Sequence, residues 1–213
     1  MGSPRPLYAA AKRTIDLAVA VPALVLLSPA FGLIALAVRL DSPGPAFFHQ
    51  DRAGRDGRPF SLLKFRTMCS GVRARGVGGE VRVDRPQDPA DPAITRVGRL
   101  LRVTSLDELP QLVNIARGEM SLVGPRPAIP QQAALYGPAE RGRLSVPPGL
   151  TGLAQVRGRN EISWPERIAI DLEYVERRGF TLDLAILLAT PWTLLTGRGI
   201  YAGARRGRES RHE

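Results

Sequence analysis

The 213-residue chain is 44% hydrophobic with a net charge of +10, long enough to bury one substantial core and too short for two full domains of ordinary size. Arginine supplies 28 of the 30 basic residues, Lys12 and Lys64 being the only lysines, which favours planar two-point contacts with phosphates and other anions. A single cysteine, Cys69, excludes an internal disulfide, and His49 and His212 are too few for a zinc cluster, so any metal is a hard cation on carboxylate and phosphate oxygens, magnesium (Mg2+) before a transition metal.

The first element is a membrane segment. Leu17 to Val38 is a run of 22 uncharged residues, which as helix, at about 1.5 Å per residue, matches a hydrocarbon core of roughly 30 Å. It is longer than the apolar part of a cleavable signal. Arg5, Lys12 and Arg13 precede the run and Arg39, Arg52 and Arg55 follow it, so the charge asymmetry of a spanning helix is missing and both ends read as cytoplasmic. At its middle lies Ser28-Pro29, where the proline removes a backbone donor and the serine hydroxyl can satisfy the freed carbonyl. A re-entrant helix over residues 15–40 fits both facts, although a proline-kinked spanning helix shares the break.

Residues 46–66 form a predicted β-hairpin, AFFHQDR and PFSLLKFRT flanking a turn with Asp56-Gly57. Lys64 and Arg66, two apart, fall on one strand face. Residues 70–92 have no hydrophobic period and read as a loop. A helix is predicted over Ile94–Leu101 and a second from Ser105, where Ser105 and Glu108 have capping-box spacing, although Pro110 disturbs it. A helix over Gln131–Arg143 follows the turn-rich GEMSLVGPRPAIP. After the Gly/Pro loop VPPGLTGLAQVRGRN comes an amphipathic helix from Trp164 to about Arg178. Thr181–Leu195 is a second apolar run, too short to span and suited either to the membrane interface or to the core. Residues 203–213 read as a disordered basic tail. The fold class is α+β, mostly helical, with the whole of 1–213 as one catalytic domain.

Asp107-Glu108 has an ordinary explanation, since acids in the first turn of a helix favour its dipole. Its surroundings point elsewhere. Arg96, Arg99 and Arg102 precede the pair and Arg126, held between Pro125 and Pro127, follows it. Phosphoryl transfer needs that combination: a carboxylate as nucleophile or metal ligand, a divalent ion, and arginines on the transferring phosphate. The positive charge would also suit nucleic acid or acidic lipid, but with 6% aromatic residues the chain lacks stacking platforms, and no nucleic-acid partner is expected.

Across KRTIDLAVA with its Ser28-Pro29 break, DSPGPAFFHQDRAGRDGRPFSLLKFRTM, DPAITRVGRLLRVTSLDELPQLVNIARGEMSLVGPRP and PPGLTGLAQVRGRNEISW, the chain resembles the bacterial sugar transferases, monotopic phosphoglycosyl transferases of glycoconjugate and exopolysaccharide assembly. The match runs from about Lys12 to Tyr201, and the chain looks like a small stand-alone member. The resemblance implies a UDP-sugar donor, a polyprenyl (undecaprenyl) phosphate acceptor, Mg2+, and a site on the cytoplasmic face of the bacterial inner membrane among membrane lipids. It assigns Asp107 as the nucleophile that becomes phosphoglycosylated with release of UMP, and Glu108 as its partner, both at the metal. Lys64, Arg66, Arg102 and Arg126 fall in motifs of phosphate and metal-site support; Gln155, Arg157, Gly158, Arg159 and Asn160 fall in one of nucleotide-sugar recognition. The chain departs in having Pro147 where a basic residue is usual, and Arg157 in place of a small polar one. Arg143 and Arg157 are then the candidates to supply the displaced charge. Two other readings stay open: direct attack by the lipid phosphate with the dyad as metal ligands only, and a non-catalytic basic membrane scaffold.

Overall fold

A computed structural model describes residues 6–69, 91–158 and 161–196. Most of the predicted 70–92 loop, the 203–213 tail, Arg159 and Asn160 lie outside them. Helix α1 (Pro6–Asp41) runs for 36 residues with Pro22 and Pro29 inside it. Pro29 has no N–H for the carbonyl of Val25 one turn back, and the Ser28 hydroxyl donates to that carbonyl instead, at 2.8 Å.

One stripe of α1 packs on the body of the protein. Ala20, Ala23, Leu24, Leu27 and Phe31 join the main core cluster, and Phe31, Ile34, Ala35 and Val38 join a second around Phe65 and Leu101. Polar ties hold both ends. Arg13 donates to the carbonyls of Ile115 (2.5 Å) and Ala116 (2.8 Å), a cation on the last carbonyls of helix α3 (Gln111–Arg117). The buried Asp16 carboxylate accepts from Leu122 N at 2.9 Å and the Ser121 hydroxyl at 3.1 Å. At the far end Asp41 accepts from Val97 N at 2.8 Å, in the first turn of helix α2 (Arg96–Thr104). The opposite face, with Val19, Val25, Leu26, Leu33 and Leu36, is exposed.

Strands β1 (Phe47–Ala53) and β2 (Pro59–Phe65) make the expected antiparallel hairpin, Phe47 opposite Phe65 and Ala53 opposite Pro59. Its turn carries Asp56 at φ 56° and Gly57 at φ 77°, the left-handed pair that an Asp-Gly hairpin demands. A second, parallel pair was not foreseen: β3 (Ser121–Val123) against β4 (Gly149–Thr151). It depends on glycine, because a Cβ on Gly149 would lie 2.1 Å from Gly124 N and one on Gly152 2.1 Å from Gly124 O. The loops GEMSLVGPRP and VPPGLTG therefore meet backbone to backbone.

Two expectations need correcting. No helix starts at Ser105. That residue closes α2 in a left-handed conformation (φ 57°), its side chain caps nothing, and Leu106–Glu108 form one 3-10 turn ahead of α3. The capping box is absent because the Glu108 carboxylate is engaged elsewhere. The predicted 131–143 helix is interrupted by Gly137-Pro138, giving α4 (Pro130–Ala134) and a 3-10 stretch over Glu140–Ser145. After the short α5 (Leu153–Arg157) come α6 (Trp164–Arg177) and α7 (Phe180–Leu195). Helix α7 is two-sided: Asp183 and Ile186 are buried, while Phe180, Leu184, Leu188, Trp192 and Leu195 form an exposed apolar stripe, with Trp192 69% exposed.

Candidate active site

The acidic pair sits on the 3-10 turn between α2 and α3, and its two members have different surroundings. Glu108 is held by cations from two distant segments. Lys64 Nζ, on β2, lies 2.7 Å from Oε1, and Arg126 brings Nη2 to 2.8 Å from Oε1 and Nη1 to 3.4 Å from Oε2. Burial acts to raise the Glu108 pKa, but Arg126 and Lys64 outweigh it and hold the carboxyl well below the usual range.

Asp107 is partly buried and accepts no hydrogen bond from a described residue. Burial, with the Glu108 charge beside it, pushes its pKa up to about 6 against the pull of Lys64, Arg102 and Arg126. At neutral pH it is ionised yet more basic than a solvated carboxylate, which suits a nucleophile. Oxygens with no hydrogen-bond partner among the described residues also suit a cation. Among the described residues no three Asp, Glu, His or Cys side chains gather as a metal cage. The dyad fits an ion of the magnesium type, which takes one or two carboxylates and completes its shell with water and substrate phosphate.

The other expected residues divide. Lys64, Arg102 and Arg126 gather at the dyad, Arg102 Nε donating to Thr67 Oγ1 at 2.8 Å. Arg66 serves the end of α1: 5% exposed, it donates to the carbonyls of Val38 (3.2 Å), Ser42 (2.6 Å) and Pro43 (2.5 Å). Strand alternation does not pair it with Lys64, because β2 ends at Phe65. Gln155 Nε2 donates to Leu150 O at 3.0 Å, within the loop that enters α5. Gly158 ends α5 under Ile162, whose Cγ2 leaves no room for a side chain. Arg157 pairs with Glu173 through its two terminal guanidinium nitrogens, Nη2 to Oε1 at 2.8 Å, on an exposed surface. Arg143 is 2% exposed and paired with an equally buried Asp171, so the charge it carries is spent inside the protein.

One residue was missed. Arg52 lies close enough to Arg126 and Glu108 to be affected by both, and its pKa is lowered to about 10, chiefly by burial. The signal was available: Gln50 and Arg52 are two apart and share a strand face, and Arg52 Nη2 donates to Gln50 Oε1 at 2.6 Å.

Comparison with known proteins gives the family. The family model for bacterial sugar transferase matches residues 7–197. Among relatives, the exopolysaccharide production protein ExoY of Sinorhizobium fredii is 42% identical over 94% of this chain and 92% of its own. The UDP-glucose:undecaprenyl-phosphate glucose-1-phosphate transferase of Caulobacter vibrioides is 43% identical over 94% of this chain and 76% of its own. An N-acetylgalactosaminephosphotransferase of Aeromonas hydrophila, named for UDP-N-acetylgalactosamine and undecaprenyl phosphate, is 39% identical over 92% of this chain and 46% of its own. The chain belongs to the bacterial sugar transferase family and is an enzyme of the sugar-phosphate transferase class.

Proposed function

We propose that the protein transfers a sugar phosphate from a UDP-sugar to undecaprenyl or a similar polyprenyl phosphate, as the first membrane step of exopolysaccharide or glycoconjugate assembly. The observation that carries this reading is the asymmetry of the dyad: Glu108 is held by Lys64 and Arg126, while the Asp107 carboxylate accepts no hydrogen bond from a described residue and has an elevated basicity. A scaffold binding acidic lipid gains nothing from such a carboxylate. The names of the relatives support the donor and acceptor classes.

In the first step an Asp107 oxygen attacks the phosphorus nearest the sugar. The bond from that phosphorus to the bridging oxygen breaks, and UMP leaves with the electron pair. In the second step an oxygen of the polyprenyl phosphate attacks the same phosphorus, and the Asp107 carboxylate is released. No proton need move in either step, since both nucleophiles are anions. Arg126, Lys64 and Arg102 are placed to balance charge on the transferring phosphate. Asp107 and Glu108 would hold the magnesium ion, which, when bound, neutralises charge on the diphosphate.

We further propose that α1 enters and leaves one membrane face, the cytoplasmic one. At about 1.5 Å per residue it is roughly 54 Å long, yet Arg13 and Asp16 near its start and Val38 near its end attach to the same body. Its exposed side chains and the stripe on α7 supply apolar surface, and Trp192 suits headgroup depth.

The test is intact mass after incubation with a panel of UDP-sugars and magnesium, with no lipid acceptor. A sugar-phosphate adduct on wild type, absent from Asp107→Asn, is the expected result. No adduct without acceptor, but UMP release once polyprenyl phosphate is added, would move the chemistry to direct attack by the lipid, and no UMP release from any donor in the presence of acceptor would end the reading.

A further inference from the structure

The segment that carries Arg126 is unusual in how it is held. Pro125 and Pro127 have no N–H, so the stretch cannot be fixed by a donor ladder. Its carbonyls are the handles, and four in succession are captured. Gly149 N donates to Pro125 O at 2.9 Å, Arg143 Nη2 to Arg126 O at 3.0 Å, Arg52 Nη1 to Pro127 O at 3.0 Å, and Ala53 N to Ala128 O at 2.8 Å. The outer two are backbone contacts from β4 and β1. The inner two, the first two carbonyls after the α-carbon that bears the working guanidinium, come from arginine side chains.

Both arginines are held by further partners. Arg52 is also tied to Gln50. Arg143 donates to the Tyr136 hydroxyl and to Asp171, and its guanidinium carbon lies 5.4 Å from the Tyr136 ring and 5.6 Å from the Trp164 ring. A buried guanidinium held by a carboxylate, a phenol and two ring faces has little freedom, and it passes that rigidity to the Arg126 carbonyl.

We infer that Arg52 and Arg143 are positioning residues, a two-point clamp on the consecutive carbonyls of Arg126 and Pro127 that aims the Arg126 guanidinium at Glu108 and at the phosphate in flight. The inference rests on the functional reading above. Lysine at either position keeps the charge but cannot reproduce the planar set of contacts.

The experiment compares Arg143→Lys and Arg52→Lys, alone and combined with Arg126→Ala, using full-length protein in lipid nanodiscs. Arg52 is less buried than Arg143, so its variant keeps the test alive if Arg143→Lys fails to fold. Two readouts are taken. For UMP release, each clamp variant is expected to lower kcat by roughly ten- to a hundredfold, the order that misplacing one catalytic group costs, with KM for the UDP-sugar changed less than threefold. In the Arg126→Ala background the same substitutions should change kcat less than twofold. Equal losses in both backgrounds would overturn the clamp, because its effect would not pass through Arg126. The second readout needs no turnover. Phenylglyoxal modification of Arg126, mapped by peptide mass spectrometry, should be several-fold faster in a folded clamp variant, while that of the exposed Arg177 stays constant. An unchanged Arg126 rate overturns the clamp whatever the activity, whereas a wild type that releases no UMP overturns the function and leaves this readout to decide the clamp.

Discussion

Asp183 and Asp107 are both shielded carboxylates, and the protein treats them in opposite ways. Asp183 accepts from Tyr8 at 2.7 Å, Lys12 at 2.6 Å and Tyr174 at 2.9 Å, which ties α1, α6 and α7 together. Asp107 accepts from no described residue and has its pKa pushed up to about 6. A carboxylate surrounded by donors is stabilised where it stands and is a poor nucleophile. One left without donors is costly to the fold and available to a phosphorus atom or a cation. On the proposed reading, the acid that holds structure and the acid that does chemistry are told apart by their partners.

That contrast can be broken in order of expected size. Asp107→Asn should lower UMP release by at least about a thousandfold, as loss of a covalent nucleophile does, and leave the thermal midpoint unchanged or slightly raised, since a desolvated charge has been removed. A clear fall in the midpoint would show that Asp107 is structural after all. Asp183→Asn should do the reverse, costing about 3 kcal/mol or more because Lys12 is left shielded without its anion, with turnover per folded molecule nearly unchanged at low temperature. Glu108→Gln frees Lys64 and Arg126 and should cost about ten- to a hundredfold in kcat; an effect on KM alone would assign Glu108 to binding only.

The pH dependence sharpens the same comparison. Because the attacking form of Asp107 is the ionised one and its pKa is raised, single-turnover adduct formation should be half-maximal near pH 6 and fall about tenfold per unit below it. A rate that stays flat to pH 5 would deny Asp107 its elevated basicity. The smallest effect expected is from Ser28→Ala, which leaves the Val25 carbonyl short of a donor at the proline break and should lower stability by about 1 kcal/mol.

The chain was readable where local rules decide. Asp56-Gly57 dictates its hairpin turn, Ser28 supplies the donor that Pro29 withholds from the Val25 carbonyl within a continuous α1, and the spacing of charged and apolar residues from Trp164 onward gives α6. It was misread where a distant group decides. Ser105 and Glu108 have capping-box spacing, but Lys64, forty-four residues away in sequence, and Arg126 claim the Glu108 carboxylate, and the turn before it closes left-handed. Arg66 has the look of a phosphate ligand until the fold delivers three carbonyls from the end of α1 to it. The β3–β4 pair has strands of three residues, too short for any alternation to show. In the candidate site the carboxylates and Lys64, Arg102 and Arg126 were visible through their motifs. For Arg52 the sequence offers only its strand-face spacing from Gln50, and for Arg143 only its charge; that either acts through the backbone of another residue depends on contacts with the distant 125–128 segment.

The Asp183 cluster also sets a schedule. Lys12 and Asp183 are separated by 171 residues, and at ordinary synthesis rates of about 5–20 residues per second the interval between them is roughly 10–30 s. Throughout that time the apolar α1 exists without the acid that locks its start to α6 and α7. The contact that fastens the start of the first helix therefore waits until Asp183, near the far end of the described chain, has been made.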